Sequence, residues 1–263
     1  MKYEGTEGVR SVVAETKLAL QLNCGNLVKA IGFYFILSLV VDFVILYVVE
    51  PDIEALAPNS VGGIGLADIV SFCLWVLIAV RTHRVLINQA YISSPLIASM
   101  NSTGSFIRFT LRTIWLLMLA IISLLPLVMV FLINFNGLPE SITVLVLSFF
   151  AVIISFILMW YLSRLCLVLP SVAVQIPMTF SEALRYTEHH QFLLFFTVIL
   201  TPLFVGFFPF FLLANIINSL LIYSVVISIV SNVFLILEVA LLSVTFLYVF
   251  KIVDRNNDVQ LKV

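Results

Sequence analysis

The chain has 263 residues, of which 62% are hydrophobic and only 10% are charged, and its formal net charge at pH 7 is −1. Soluble domains contain about 45–50% apolar and about 25% charged residues, so this composition excludes a soluble fold and predicts a polytopic membrane protein. A net charge this close to zero gives no indication of a nucleic-acid partner.

The N-terminal residues, 1–26, combine apolar side chains at helical spacing with charged ones. This pattern is typical of an amphipathic helix that lies at a membrane surface. The apolar runs that follow each approach or exceed the roughly 20 residues that a helix needs to cross a bilayer. The predicted spans are 27–49, 64–92, 106–134, 141–163, 192–217 and 222–250, and a charged tail, 251–263, follows them.

Prolines within two of these spans predict irregular helices. Pro126 lies inside the third span, where its missing N–H predicts a kink. The fifth span contains Pro202, Gly206 and Pro209. We therefore expect the fifth span to be bent or locally unwound.

The segment between the fourth and fifth spans is the most polar stretch in the second half of the chain. Thr179 and Glu182 fit a helix-capping box, in which each side chain satisfies a free backbone N–H at the helix start. Helical spacing then separates an apolar side from a charged side, which predicts an interfacial helix over 180–190. The apolar side comprises Phe180, Ala183, Leu184 and Thr187, and the charged side comprises Glu182, Arg185, Glu188 and His189.

Basic residues are distributed unevenly among the loops. The loops between spans one and two, three and four, and five and six contain no Lys or Arg, although acidic residues such as Glu50 and Glu140 occur there. All 13 basic residues fall in or beside the other segments. By the positive-inside rule those segments are cytoplasmic, which predicts six spans with both termini in the cytoplasm. The similar lengths of 27–92, 106–165 and 192–251 are consistent with three helical hairpins.

Carboxylates inside the predicted spans are the first candidates for function, because burying them in a bilayer is costly. Asp42 lies in span one, Asp68 near the start of span two, and Glu238 close to the middle of span six. At that depth an ionised carboxylate needs a cation, a water-filled cavity or protonation. Glu238 is therefore a proton or cation site or a contact for a polar headgroup, or else a structural partner of Arg164 or Arg81.

The basic residues at the predicted cytoplasmic boundary are a second candidate. They act either as topology determinants that extend toward anionic headgroups or as a site that grips a lipid phosphate. Arg108 and Arg112 lie at this boundary. The predicted lipid- or ligand-binding residues are Arg81, His83, Arg84, Arg164, Arg185 and Glu238. Because the sequence contains no catalytic, metal-ligand or cofactor motif, we predict no catalytic residue, no metal ligand and no cofactor.

Two of these regions carry a resemblance to a known family. Arg164, the pair Leu169-Pro170 and the run SEALRYT at 181–187 precede an apolar span, and His83-Arg84 ends span two. This pattern resembles the six-span membrane domain that is attached to some bacterial glycerophosphodiester phosphodiesterases and that also occurs alone. The resemblance implies an all-α bundle in the inner membrane. It implies no enzyme, because the phosphodiesterase of that family is a separate soluble domain.

These patterns predict a non-enzymatic membrane protein whose cytoplasmic-side cavity engages lipid or another amphiphile, as a transporter or a membrane-organising accessory protein. The main alternative is a proton- or ion-coupled secondary transporter of a small solute, with flux that depends on Glu238. A third hypothesis is an intramembrane enzyme, which requires polar groups from different spans to meet at one depth. Membrane lipids are the predicted partners, whereas nucleic acid is not one.

Overall fold

The computed structural model describes residues 6–44, 66–87, 103–135, 142–175, 178–204 and 220–260. Every regular element in these ranges is helical, which confirms the predicted all-α class. A π-helical turn, Phe195–Leu200, continues the seventh helix. In chain order the helices are α1 (Thr6–Val44), α2 (Leu66–Ile87), α3 (Thr103–Phe135), α4 (Ile142–Leu165), α5 (Val168–Ala173), α6 (Phe180–Tyr186), α7 (Gln191–Leu194) and α8 (Leu220–Gln260).

Five helices among the described residues are long and apolar enough to cross a membrane. A further apolar helix, Gln191–Phe204, is shorter and lies at the start of the predicted fifth span. The rest of that span, together with Gly206 and Pro209, lies outside the described residues. The helices are thus compatible with a multi-pass membrane protein. The five long stretches are Gly8–Asp42, Asp68–Ile87, Phe106–Val130, Val146–Ala173 and Val226–Phe250.

The first helix is continuous across the position where the sequence pattern separates a surface helix from a span. It runs for 39 residues from Thr6 to Val44, and its apolar stretch, Gly8–Asp42, has 35 residues. At about 1.5 Å per residue this stretch is about 52 Å long, whereas the hydrocarbon core of a bilayer is about 30 Å thick. A tilt of about 55° would be needed to enclose it, beyond the roughly 40° that membrane helices reach. A bilayer of that thickness would therefore leave one end of α1 outside its hydrocarbon core.

The C-terminal half of α1 runs antiparallel to α8. The Ser38 hydroxyl donates a hydrogen bond to Asn232 Oδ1 at 3.3 Å, and Leu27 belongs to the same buried cluster as Ala240. Residues 27–38 of α1 therefore lie beside residues 232–240 of α8, two stretches of similar length. This half of α1 packs along α8.

The N-terminal half of α1 packs against α7 as well as α8. Val12 belongs to the same buried cluster as Val244 of α8 and Leu193 of α7. Gly8, one turn earlier, also lies beside Leu193 and Tyr248. This half of α1 therefore lies against both helices.

Helices α2 and α8 form the centre of the bundle, whereas α3 and α4 lie at its periphery. Half of the most apolar window of α2 is buried, compared with 11% of that of α3. Large apolar side chains such as Trp115, Met118, Phe149 and Phe156 are exposed on α3 and α4. An apolar surface of this extent is not found on soluble monomers, so these faces are suited to contact lipid.

Helix α7 changes to π-helical geometry immediately before Pro202. The turn Phe195–Leu200 is π-helical, and the Thr201 hydroxyl donates to the Phe196 carbonyl, five residues earlier, at 2.8 Å. Proline cannot donate the next helical hydrogen bond, and π-turns are a recognised way to accommodate such a defect. The predicted irregularity of this span is confirmed at Pro202. In α3 the helix assignment continues through Pro126, and the kink predicted there stays a prediction.

Candidate functional site

Two arginines from separate helices hold the segment that connects α5 to α6. Arg84 of α2 donates from Nε to the carbonyl of Ala173, the last residue of α5, at 2.7 Å. Arg112 of α3 donates to the carbonyl of Met178, and its guanidinium lies 5.7 Å from the ring centre of Phe180. Basic donors at helix C-termini satisfy carbonyls that lack an intrahelical partner and complement the helix dipole. Both side chains thus have a structural role at this connection.

Arg164 of α4 holds the end of α6 in the same way. Its Nε donates to Thr187 Oγ1 at 3.0 Å, and its Nη2 donates to the Leu184 carbonyl. Only 9% of Arg164 is exposed. The side chain that begins the predicted polar segment therefore ties that segment back to α4.

Helix α6 begins with the predicted capping box. Thr179 Oγ1 accepts from the Glu182 backbone N–H at 3.2 Å, and Glu182 Oε2 accepts from the Thr179 backbone N–H at 2.7 Å. The bonds that Glu182 Oε2 accepts from the Thr179 backbone N–H and from the Thr179 hydroxyl lower the pKa of the Glu182 carboxyl from its usual value. The predicted two-sided character is also confirmed, because Ala183 and Thr187 are fully buried while Arg185 is exposed. The regular helix is shorter than predicted and ends at Tyr186.

His83 lies inside the bundle and not at its surface, where it was expected with the basic residues of the predicted cytoplasmic boundary. It is 1% exposed, its Nδ1 lies 2.7 Å from Ser243 Oγ, and its ring centre lies 5.8 Å from that of Phe109. The Ser243 hydroxyl donates its hydrogen to the Val239 carbonyl at 2.7 Å, so we assign Nδ1–H as the donor to Ser243 Oγ. His83 thus links α2, α3 and α8 as a buried polar contact.

The remaining basic candidates lie apart from one another. Arg81 donates to the Ala30 carbonyl at 3.2 Å, and its guanidinium lies 4.6 Å from the ring centre of Tyr34. Arg185 is exposed, 5.3 Å from the ring centre of Tyr186. The structure therefore places Arg84 at the end of α5, Arg164 at the end of α6, Arg81 against α1, and His83 in the core.

The two other intramembrane carboxylates have ordinary surroundings. Asp42 Oδ1 accepts from the Ser71 hydroxyl at 3.2 Å, across the contact of α1 with α2. Asp68 lies in the first turn of α2, which confirms its predicted place at a helix start. An acidic residue is favourable there because the helix dipole is positive at its N-terminus.

Glu238 lines a cavity between the N-terminal half of α1 and α8, beside the end of the α7 segment. The cavity has a volume of ≈ 330 Å³, and Thr201 and Pro202 close one side of it. Thr16, Lys17 and Gln21 of α1 also line it, but its surface is almost wholly apolar. Its apolar walls are Val13, Leu20, Phe234, Leu237 and Leu241.

The charges in this cavity do not neutralise each other by direct contact. Glu238 and Lys17 are the one carboxylate and the one cation among the described residues that line the cavity. Within the described ranges they form no ion pair with each other. The hydrogen bonds of Arg81 and Arg164 go to other partners, the Ala30 carbonyl and the Thr187 hydroxyl among them. The structural ion pair considered for Glu238 is thus absent from the part of the chain that the structure describes.

Sequence reasoning identified Glu238 but not the residues that surround it. Lys17 and Gln21 occur in the N-terminal amphipathic pattern. That pattern indicates a surface helix, but it does not indicate which other helix α1 packs against. Thr201 was recognisable only as the neighbour of a helix-breaking proline. No pattern within a single helix reports that these positions meet.

The chain has no match among protein-family models, curated proteins or solved structures. The resemblance to the membrane domain attached to glycerophosphodiester phosphodiesterases therefore stays a prediction. Functional argument must start from the cavity itself.

Proposed function

We propose that this chain is a six-span inner-membrane protein, with both termini in the cytoplasm, whose apolar cavity beside Glu238 binds a membrane amphiphile. Five long apolar helices support the multi-pass arrangement, and the uneven distribution of Lys and Arg supports its orientation. The remaining span, the predicted fifth over 192–217, is proposed to begin at α7.

The observation that carries the proposal is an apolar cavity beside Glu238, a carboxylate residue that forms no ion pair within the described ranges. The volume of the cavity, ≈ 330 Å³, is at the lower end of the roughly 300–1,000 Å³ of small-molecule sites. Because its walls are apolar, the cavity suits part of an apolar chain, as ligand sites lined mainly by hydrophobic side chains do.

The depth of the cavity suits an amphiphile from the cytoplasmic leaflet. Glu238 is the central residue of the apolar stretch Val226–Phe250, yet the exposed residues Lys17 and Gln21 line the same cavity. Because α1 is too long for the hydrocarbon core, we place its charged N-terminal half at the headgroup level, where amphipathic helices lie. The cavity then extends from that level down to Glu238.

A substitution that fills the cavity tests this proposal. Leu241 lines the cavity, so Leu241→Trp is expected to displace the amphiphile. Leu247 lies on the same helix outside the cavity and is 39% exposed, so Leu247→Trp is the matched control. Native mass spectrometry of protein extracted gently from its own membrane should show bound lipid on the wild type and on Leu247→Trp, and much less on Leu241→Trp. Equal lipid on all three proteins would contradict the proposal.

A second candidate is a proton- or ion-coupled transporter of a small solute. It is favoured by the π-helical turn that adjoins Pro202 at the wall of the same cavity, since transporters place broken helices and acidic residues at their coupling sites. It predicts a pH-dependent flux in proteoliposomes that Glu238→Gln abolishes. Glu188→Gln, the same change at an exposed carboxylate, should leave the flux intact. Flux that persists in Glu238→Gln would exclude this coupling role.

A further inference from the structure

We propose that Asp42 and four polar side chains packed around it form a binding site for a small monovalent cation, Na⁺. The site lies near the start of α2, whereas Arg84, near the end of that helix, contacts α5. Its residue Ser228 precedes Glu238 by ten positions of α8, which is about 15 Å along the helix. A cation site here is separate from the apolar cavity, so it goes beyond the proposed amphiphile function and does not depend on it.

Three helices contribute oxygen atoms to this site. Asp42 Oδ1 of α1 accepts from the Ser71 hydroxyl of α2 at 3.2 Å, and the Asp42 carboxylate has a further side-chain hydrogen bond with Ser228 of α8. One turn away on α1, the Ser38 hydroxyl donates to Asn232 Oδ1 of α8 at 3.3 Å. Each of these contacts is ordinary by itself. Together they place five oxygen-bearing side chains in two adjacent layers.

The inner layer is formed by Ser38 and Asn232, whose side chains are neutral and fully buried. Asn232 Nδ2 donates to the Ser228 carbonyl at 2.9 Å within α8, so Oδ1 is the amide atom that faces α1. Amide oxygens, hydroxyls and carboxylates are the ligands that hard cations prefer. The buried layer thus supplies neutral oxygen ligands one turn deeper than the carboxylate.

The spacing of these oxygens matches the coordination shell of a cation. Hydrogen bonds from a hydroxyl to an oxygen are usually about 2.7–2.8 Å long, shorter than the 3.2 Å and 3.3 Å found here. Ca²⁺ has nearly the same radius as Na⁺ and binds oxygens at about 2.3–2.6 Å, which places neighbouring ligands about 3.3–3.7 Å apart and opposite ligands about 4.6–5.2 Å apart. One helical turn, the spacing of the two layers, is about 5.4 Å. A cation between the layers therefore contacts both.

The serine hydroxyls have other acceptors for their hydrogens when a cation binds. Thr82 and Ser243 donate to the carbonyl four residues earlier in their own helices, at 2.8 Å and 2.7 Å, a bond that serine and threonine commonly form in helices. The same rotation of Ser38 and Ser71 turns an oxygen lone pair toward the ion. Cation binding therefore leaves no hydroxyl hydrogen without an acceptor.

The charge of the site favours a monovalent ion. Asp42 is the one carboxylate among the five side chains, and it forms no ion pair with any described residue. The predicted loops on this side of the membrane contain no Lys or Arg, so they offer no basic partner. Asp68, exposed in the first turn of α2, adds a negative potential that attracts cations. A single carboxylate neutralises one Na⁺, whereas a divalent ion would keep a net charge.

Binding is tested with the full-length protein in detergent and with Na⁺ alone as the probe. Radioactive ²²Na⁺ should bind saturably, and NaCl should raise the melting temperature above that measured in the same concentration of choline chloride. KCl should need at least about a tenfold higher concentration for the same rise, because K⁺ is larger than the spacing of these oxygens allows. No effect specific to Na⁺, or tighter binding of Ca²⁺ than of Na⁺, would overturn the proposal.

Variants assign the bound ion to these residues. Asp42→Asn keeps the shape of the side chain but removes its charge, so it should weaken Na⁺ binding by at least about tenfold. Ser71→Ala removes one neutral ligand and should weaken binding by about fivefold. Glu15→Gln, at an exposed carboxylate of the same helix as Asp42, should bind Na⁺ as the wild type does.

The variants also distinguish a specific site from a general effect of charge. Na⁺ binding that Asp42→Asn and Ser71→Ala leave unchanged would overturn the assignment, as would an equal loss in Asp42→Asn and Glu15→Gln. If Asp42→Asn fails to fold, Ser71→Ala and Ser228→Ala decide the question by the same assay. Leu241→Trp, which fills the apolar cavity, should retain Na⁺ binding.

Discussion

Replacement of Arg164 by methionine tests whether this arginine, one of the basic residues at the predicted cytoplasmic boundary, stabilises the fold. Arg164→Met keeps an unbranched apolar stem but removes the guanidinium donors to Thr187 Oγ1 and to the Leu184 carbonyl. A hydrogen bond from a charged donor contributes about 1.5–3 kcal/mol. The Thr187 hydroxyl retains its own bond to the Ala183 carbonyl at 2.8 Å, so part of the network survives. We therefore expect a loss of about 2–4 kcal/mol in the free energy of unfolding.

Two measurements check this expectation. Unfolding in detergent should show the lower stability, and hydrogen exchange should accelerate in peptides that cover 180–194, because α6 loses its attachment to α4. Arg164→Lys should be intermediate, since a lysine supplies one point charge in place of the arginine fork. Arg108→Met, at an exposed arginine of α3, is the control. If Arg164→Met and Arg108→Met behave alike in both measurements, the structural role of Arg164 is refuted.

Three smaller changes test other contacts. Thr179→Ala removes the N-cap of α6 and should cost about 1 kcal/mol in unfolding measurements; no loss would argue against the cap. The hydrogen bonds from Thr179 lower the pKa of Glu182 below its ordinary 4.5. The stability that this carboxylate adds is therefore present above about pH 4.5 and is lost as the pH falls. Glu182→Gln should flatten this acid dependence of the melting temperature, and an unchanged slope would contradict the prediction. His83→Ala leaves a void beside Ser243 and should cost about 2–4 kcal/mol in the free energy of unfolding. Ser38→Ala removes one interhelical hydrogen bond and little volume, so it should cost only about 0.6 kcal/mol. Both residues are buried, so equal losses in the same unfolding assay would contradict the role of the volume that His83 fills.

Local patterns were the reliable part of the sequence analysis. The cap of α6 is predictable because Thr179 and Glu182 act on backbone groups three residues away, within one helical turn. The buried side of α6 is predictable because helical spacing alone brings Ala183 and Thr187 to one face. The long apolar runs likewise predict helices, since no other element satisfies its backbone within a bilayer.

The extent of α1 was harder to predict because its signals conflict. Asn23, Gly25 and Asn26 interrupt the apolar pattern and suggest a break, but none of them is a proline. Glycine inside a helix costs only about 1 kcal/mol, and the Asn23 amide donates to the Ala19 carbonyl at 2.9 Å within the helix. The helix therefore continues through these three residues.

The partners of the charged residues depend on helix packing, which a single sequence does not specify. Arg164 reaches across to Leu184, twenty positions later in the chain, and His83 contacts Ser243, 160 positions later. Similarly, Lys17 of α1 and Glu238 of α8 line the same cavity although 221 positions separate them in the chain. Each of these contacts depends on how the helices pack against one another.

A structure determined by electron cryomicroscopy in nanodiscs made from native lipids tests the central claim most directly. We predict density for an amphiphile in the cavity beside Glu238 and Leu241. A cavity closed by its own side chains, or Glu238 paired with an arginine, would contradict the claim that this site binds an amphiphile.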